Sequence, residues 1–78
     1  MINIKNEEVI KSVGERIRKF RIQKNLSQED LANEAEISLS QITRLELGKT
    51  NPTISTLYVI AEALSIELKT LLDFRIKK

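Results

Sequence analysis

The reactive groups available to this chain are hydroxyls, carboxylates, amides, amines and guanidinium groups, because its 78 residues include no Cys and no His. Thiolate and imidazole catalysis, disulfides and structural zinc sites built on those ligands are thereby excluded. Ser27, Ser38 and Ser55 each stand where a helix needs a cap, and without a His to act as base they read as caps rather than nucleophiles. Glu29, Asp30, Glu34 and Glu36 lack the alternating spacing and the glycine of a calcium loop. They read as solvated charges, with Glu29 and Asp30 favourably placed at the positive end of a helix dipole. The spacing that does carry chemistry is Leu39, Ser40, Thr43 and Arg44. A guanidinium can donate two hydrogen bonds to guanine O6 and N7, hydroxyls can bond to several bases, and a leucine can touch a thymine methyl. On residue types alone, an inert solvated face is the plain alternative.

Those four residues act together only if a helix presents them, and the flanking pattern predicts one. Ile37-Ser38-Leu39-Ser40-Gln41-Ile42 holds a Ser-x-x-Gln capping box and an Ile37–Ile42 staple, and Gly48 follows Leu47 as a left-handed stop. Ile42 and Leu45, three apart, face the core and turn Leu39, Ser40, Thr43, Arg44 and Leu47 outward. A helix before it starts at Ser27, with a Leu26–Leu31 staple and an apolar stripe of Leu31, Ala32 and Ala35. The connection between the two is about three residues, which forces a sharp angle, the mark of a helix-turn-helix.

Upstream, Val9, Val13, Ile17 and Phe20 recur at helical spacing from Glu7 to Lys24, with Asn6 as cap. Gly14 interrupts this pattern, so the helix either starts after it or packs closely there. Downstream, after the loop Lys49–Ile54, Ser55 is expected to cap a helix carrying Leu57, Ile60, Ala61 and Leu64. A fifth helix falls within Ile66 to Phe74, ahead of the basic end Arg75-Ile76-Lys77-Lys78.

The net charge is +2, from 13 basic and 11 acidic residues, too small to indicate a polyanionic partner by itself. Its distribution is uneven: Arg16, Arg18, Lys19, Arg21 and Lys24 stand against Glu15 alone, and the acidic group from Glu29 to Glu36 follows. Met1–Phe20 contains no long apolar run, so neither a signal peptide nor a membrane span is expected, which points to the cytoplasm. A chain of this length buries only about 60% of its unfolded surface. Val9, Ile10, Val13, Tyr58, Leu68, Phe74 and Ile76 therefore exceed a minimal core, and some should stay on the surface unless a second copy covers them.

From Leu26 to Leu64 the chain resembles the DNA-binding domain of phage repressors and Cro, the XRE family. The resemblance rests on Leu26-Ser27-Gln28-Glu29-Asp30-Leu31-Ala32, on Ile42-Thr43-Arg44-Leu45-Glu46-Leu47-Gly48-Lys49 and on Ile60-Ala61-Glu62-Ala63-Leu64. It implies base contacts from Leu39, Ser40, Thr43 and Arg44. Phosphate contacts fall on Gln28, Gln41, Lys49, Thr50 and Asn51, and on Arg21, which the family often pairs with a glutamate matching Glu46. Glu36 and Ser65 stand where the family often has glycine, and Leu47 replaces a residue that is usually polar.

The expectation is an all-α, lambda-repressor-like five-helix bundle with a helix-turn-helix, in a single domain of residues 1–78. Its core would span 15–73, with 1–14 an N-terminal extension and 75–78 a basic tail. The expected function is sequence-specific binding of double-stranded DNA as a homodimeric repressor or controller acting on a palindromic operator through helix 39–47. No catalysis, cofactor, metal, membrane or small-molecule substrate is expected. The alternative is a helix-turn-helix protein-interaction module, such as an antitoxin, whose main partner is another protein.

Overall fold

In the computed structural model, which describes residues 6–76, the order is α1 (Glu7–Gln23), α2 (Gln28–Ala35), α3 (Leu39–Glu46), α4 (Ile54–Ala63) and α5 (Leu68–Leu71). Residues 1–5, with Lys77 and Lys78 of the expected basic tail, lie outside the described residues. All described elements are helical. α3 packs against both α1 and α2, α4 covers α2, and α5 closes on α1 and α4.

Each of the first four helices begins with a side-chain cap. The Asn6 carboxamide oxygen accepts from Val9 N at 3.0 Å, and Ser38 forms the expected box with Gln41. Ser27 forms a full box with Asp30, whose carboxylate accepts from Ser27 N at 2.9 Å. That backbone hydrogen bond, with the one linking it to the Ser27 side chain, holds the Asp30 carboxyl below the usual carboxylate range. The cap of α4 differs from the expectation: Thr53, with extended backbone, accepts from Thr56 N at 3.1 Å, and Ser55 lies inside the first turn. Thr53 takes this role because the helix already starts at Ile54, so the chain leaves its extended conformation directly after Thr53.

The helix ends share one device. Asn25, Glu36, Gly48 and Ser65 all have left-handed backbone, with φ of 59°, 58°, 71° and 58°. After each, the next residue's N–H returns to a carbonyl five residues back: Leu26 to Arg21, Ile37 to Ala32, Lys49 to Arg44 and Ile66 to Ala61. These are Schellman closures, and Leu26, Ile37 and Ile66 use them to drop an apolar side chain onto the core. α5 falls within 66–74 as expected and is a single turn, because Ile66 is spent closing α4 and the Glu67 side chain supplies no cap.

The core comprises Val13, Ile17, Leu31, Ala32, Ala35, Ile42, Leu45, Leu57, Ile60, Ala61, Leu64 and Leu71. Ile10 and Val13 are buried, and residues 7–14 form the first turns of α1. Of the apolar residues that seemed surplus, Tyr58 alone is exposed; Val9, Leu68, Phe74 and Ile76 are half-buried. Arg16, one of the basic residues clustered in this stretch of sequence, reaches from α1 to the Thr70 carbonyl and lies 5.0 Å above the Phe20 ring.

Gly14 lies within α1 and marks the closest approach of α3. A Cβ placed there would sit 2.2 Å from the Leu45 carbonyl oxygen, so the backbone contact depends on the missing side chain. In an exposed helix Gly→Ala stabilises by roughly 1 kcal/mol. Here Gly14→Ala is expected to destabilise by about 1–3 kcal/mol, measured by urea unfolding monitored by circular dichroism.

Candidate nucleic-acid interface

The α2–α3 connection has three residues, Glu36, Ile37 and Ser38. Left-handed Glu36 reverses the chain, Ile37 anchors it to the core, and Ser38 starts α3. α3 buries Ile42 and Leu45 as its spacing predicts. Outward it presents Ser40, Gln41 and Arg44, with Leu39 44% exposed and Leu47 59% exposed. Thr43 is half-buried at the rim of this face.

Gln41 and Arg44 line a shallow cleft of about 200 Å³ together with Thr50, Asn51, Pro52, Thr53 and Thr56. Two residues expected to grip phosphate on the loop, Thr50 and Asn51, are thus brought beside two on α3, with Lys49 exposed next to them. The Gln41 carboxamide oxygen accepts from Ser38 N at 3.2 Å, leaving its amide nitrogen as the group facing outward chemistry.

A second group forms a continuous hydrogen-bonded network. Arg21 donates from Nε to Glu46 Oε2 at 2.6 Å, from Nη2 to Glu46 Oε1 at 3.0 Å and from Nη1 to the Leu26 carbonyl at 2.8 Å. Gln28 Nε2 donates to Glu46 Oε1 at 3.0 Å, and Gln28 Oε1 lies 3.0 Å from the Thr43 hydroxyl. The Glu46 side chain is only 2% exposed and that of Arg21 11%. Its hydrogen bond to the Glu46 carboxylate raises the Arg21 pKa further above its ordinary value. Three of the five Arg21 N–H groups are therefore spent inside the protein.

The family resemblance pointed to Arg21 and Glu46 as a pair. It did not reveal that Gln28 stands between Glu46 and Thr43, since each of these contacts joins different helices. The Ser27–Asp30 box is the part that could have been read, from its spacing of three.

A family model described as a helix-turn-helix domain matches residues 14–73. The chain belongs to the helix-turn-helix family. Within it, this helix-turn-helix protein groups with phage immunity repressors and controller proteins. It is 37% identical over 62 residues to the control protein C.BamHI of Bacillus amyloliquefaciens, covering 78% of this chain and 76% of that one. It is 37% identical over 60 residues to the immunity repressor of Bacillus phage phi105, covering 77% of this chain but 42% of the repressor. The match to the regulator DdrOP3 of Deinococcus deserti likewise covers 46% of that protein, so the chain spans under half the length of these two relatives. Among solved structures, the restriction-modification controller protein C.AhdI of Aeromonas hydrophila superposes with a TM-score of 0.78 at 34% identity. That match covers 80% of this chain and 94% of C.AhdI. The relatives are transcriptional regulators, and among the described residues no helix is long and apolar enough to cross a membrane.

Removing one member of a buried ion pair leaves the other uncompensated. Arg21→Met is expected to cost about 3–5 kcal/mol of stability, and Arg21→Met with Glu46→Leu less than Arg21→Met alone, in a urea-unfolding double-mutant cycle.

Proposed function

We propose that this helix-turn-helix regulator reads a palindromic operator as a homodimer, with α3 of each copy in the major groove. The carrying observation is the exposed face of α3, where Leu39, Ser40 and Arg44 project, with Thr43 at the rim, from a helix packed on α1 and α2. Arg44 would donate to guanine, Ser40 and Thr43 would bond to base edges, and Leu39 would meet a thymine methyl. Gln28, Gln41, Lys49, Thr50 and Asn51 would hold the phosphates on either side, and Arg21 would contribute through the Glu46 contact that orients Gln28. Affinity on this reading comes largely from phosphate neutralisation, and choice of sequence from α3. The protein would act in the cytoplasm by recognition, without catalysis.

The homodimer reading rests on α4, where Ile54 is 65% exposed and Tyr58 51% exposed one turn apart. Two-fold pairing places recognition helices about one DNA turn, ~34 Å, apart.

Fluorescence anisotropy of a labelled duplex from upstream of the protein's own gene, against a scrambled duplex over a salt series, tests the proposal. Binding of the upstream duplex is expected to exceed that of the scramble by ~10³-fold or more and to weaken steeply with salt. An absence of DNA binding at low salt would instead favour the protein-interaction module. Arg44→Ala should cost about 1–3 kcal/mol on the operator and little on the scramble, whereas Lys49→Ala should weaken both alike. Tyr58→Glu should leave the helical circular dichroism spectrum at 25 °C unchanged while analytical ultracentrifugation shows a shift to monomer; an unaltered dimer would place the interface elsewhere.

A further inference from the structure

The network beneath α3 determines which kind of hydrogen bond its outer face can make. Arg21 is a donor only, and its two bonds require Glu46 to be the ionised acceptor. Glu46, with both oxygens accepting, forces the Gln28 amide nitrogen to turn toward it, at 3.0 Å. The opposite end of the same amide, Oε1, therefore faces Thr43, and an amide oxygen can only accept. The second neighbour of the Thr43 hydroxyl, the Leu39 carbonyl at 3.0 Å, is also an acceptor. Whichever it chooses, the single hydroxyl proton of Thr43 is used inside the protein.

We infer that Thr43 meets DNA as a hydrogen-bond acceptor only, and so selects a base edge that offers an exocyclic amine, adenine N6 or cytosine N4. A free threonine reads donors and acceptors alike; here an ion pair buried between α1 and α3 removes half of that choice. Guanine O6 and N7 and thymine O4, all acceptors, are excluded as partners of Thr43. The inference rests on α3 reading an operator, and extends that reading to the polarity of one contact.

The test uses the full chain and a duplex selected by it from a random pool. In that duplex each adenine is replaced in turn by purine deoxyriboside, which lacks the 6-amino group, and each cytosine by the 2-pyrimidinone deoxyriboside, which lacks the 4-amino group. Each guanine is replaced by 7-deazaguanine. Affinities of the wild type, Thr43→Val and Thr43→Ser are compared by anisotropy.

One amine deletion should weaken the wild type about 5- to 150-fold, have little further effect on Thr43→Val, and still weaken Thr43→Ser, which keeps the hydroxyl. Its identity, adenine or cytosine, names the base. Coupling of Thr43 to guanine N7, or to no amine at any position, would overturn the inference while leaving Arg44-dependent selectivity standing. A pool yielding no preferred duplex would overturn the operator reading, and this inference with it.

Discussion

The Glu46 carboxylate, almost wholly buried at the end of α3, is the interaction on which the arrangement of the other helices depends. An ionised carboxylate removed from water must be compensated, and here it receives two hydrogen bonds from Arg21 of α1 and one from Gln28 of α2. Arg21 in turn donates to the Leu26 carbonyl, in the turn between those two helices. A polar junction of this kind has few alternative geometries, because any slip of α3 along α1 would leave a charge unpaired. Apolar packing alone, from Ile42 and Leu45, would tolerate more sliding.

The backbone reinforces the same joint. Gly14 lets α1 come into direct contact with the last carbonyls of α3, and the Gly48 closure turns the chain away immediately afterwards, beside Lys11. Of the four left-handed closures, glycine serves only this last one; Asn25, Glu36 and Ser65 accept the less favoured conformation. Their apolar successors Leu26, Ile37 and Ile66 offset that cost by packing on the core. One of these turns, at Glu36, is also the one that sets the angle between α2 and α3.

Recognition and stability are consequently served by overlapping residues. Gln28 starts α2, satisfies Glu46 and touches Thr43, so the same amide links the fold to the surface that faces DNA in the proposed complex. Leu39, Ser40 and Arg44 carry less structural duty and are free to vary with the operator. A regulator built in this way can change its base preferences on the outer face of α3 while its scaffold stays intact.

Local chemistry made much of the fold legible in the sequence. Capping residues at Asn6, Ser27 and Ser38, apolar spacing along α1 to α4, and the three-residue connection between α2 and α3 depend on neighbours within a few positions. The same logic went astray at Ser55, since two hydroxyl residues compete to start α4 and only the backbone at Thr53 is extended. The short fifth helix expected between Ile66 and Phe74 is present as Leu68–Leu71, while Ile66, Leu72 and Phe74 pack on the core outside it. Exposure of Leu39, Ser40 and Arg44 followed from period alone. Only tertiary structure decided that Gly14 is a contact point rather than a break, that Arg21 turns inward, that Arg16 clasps Thr70, and that Gln28 meets the Thr43 hydroxyl. These contacts join groups between 15 and 54 residues apart in the chain, except for the Leu26 carbonyl, five from Arg21. A hydrogen bond between helices depends on their relative placement, which the pattern along any single helix does not contain.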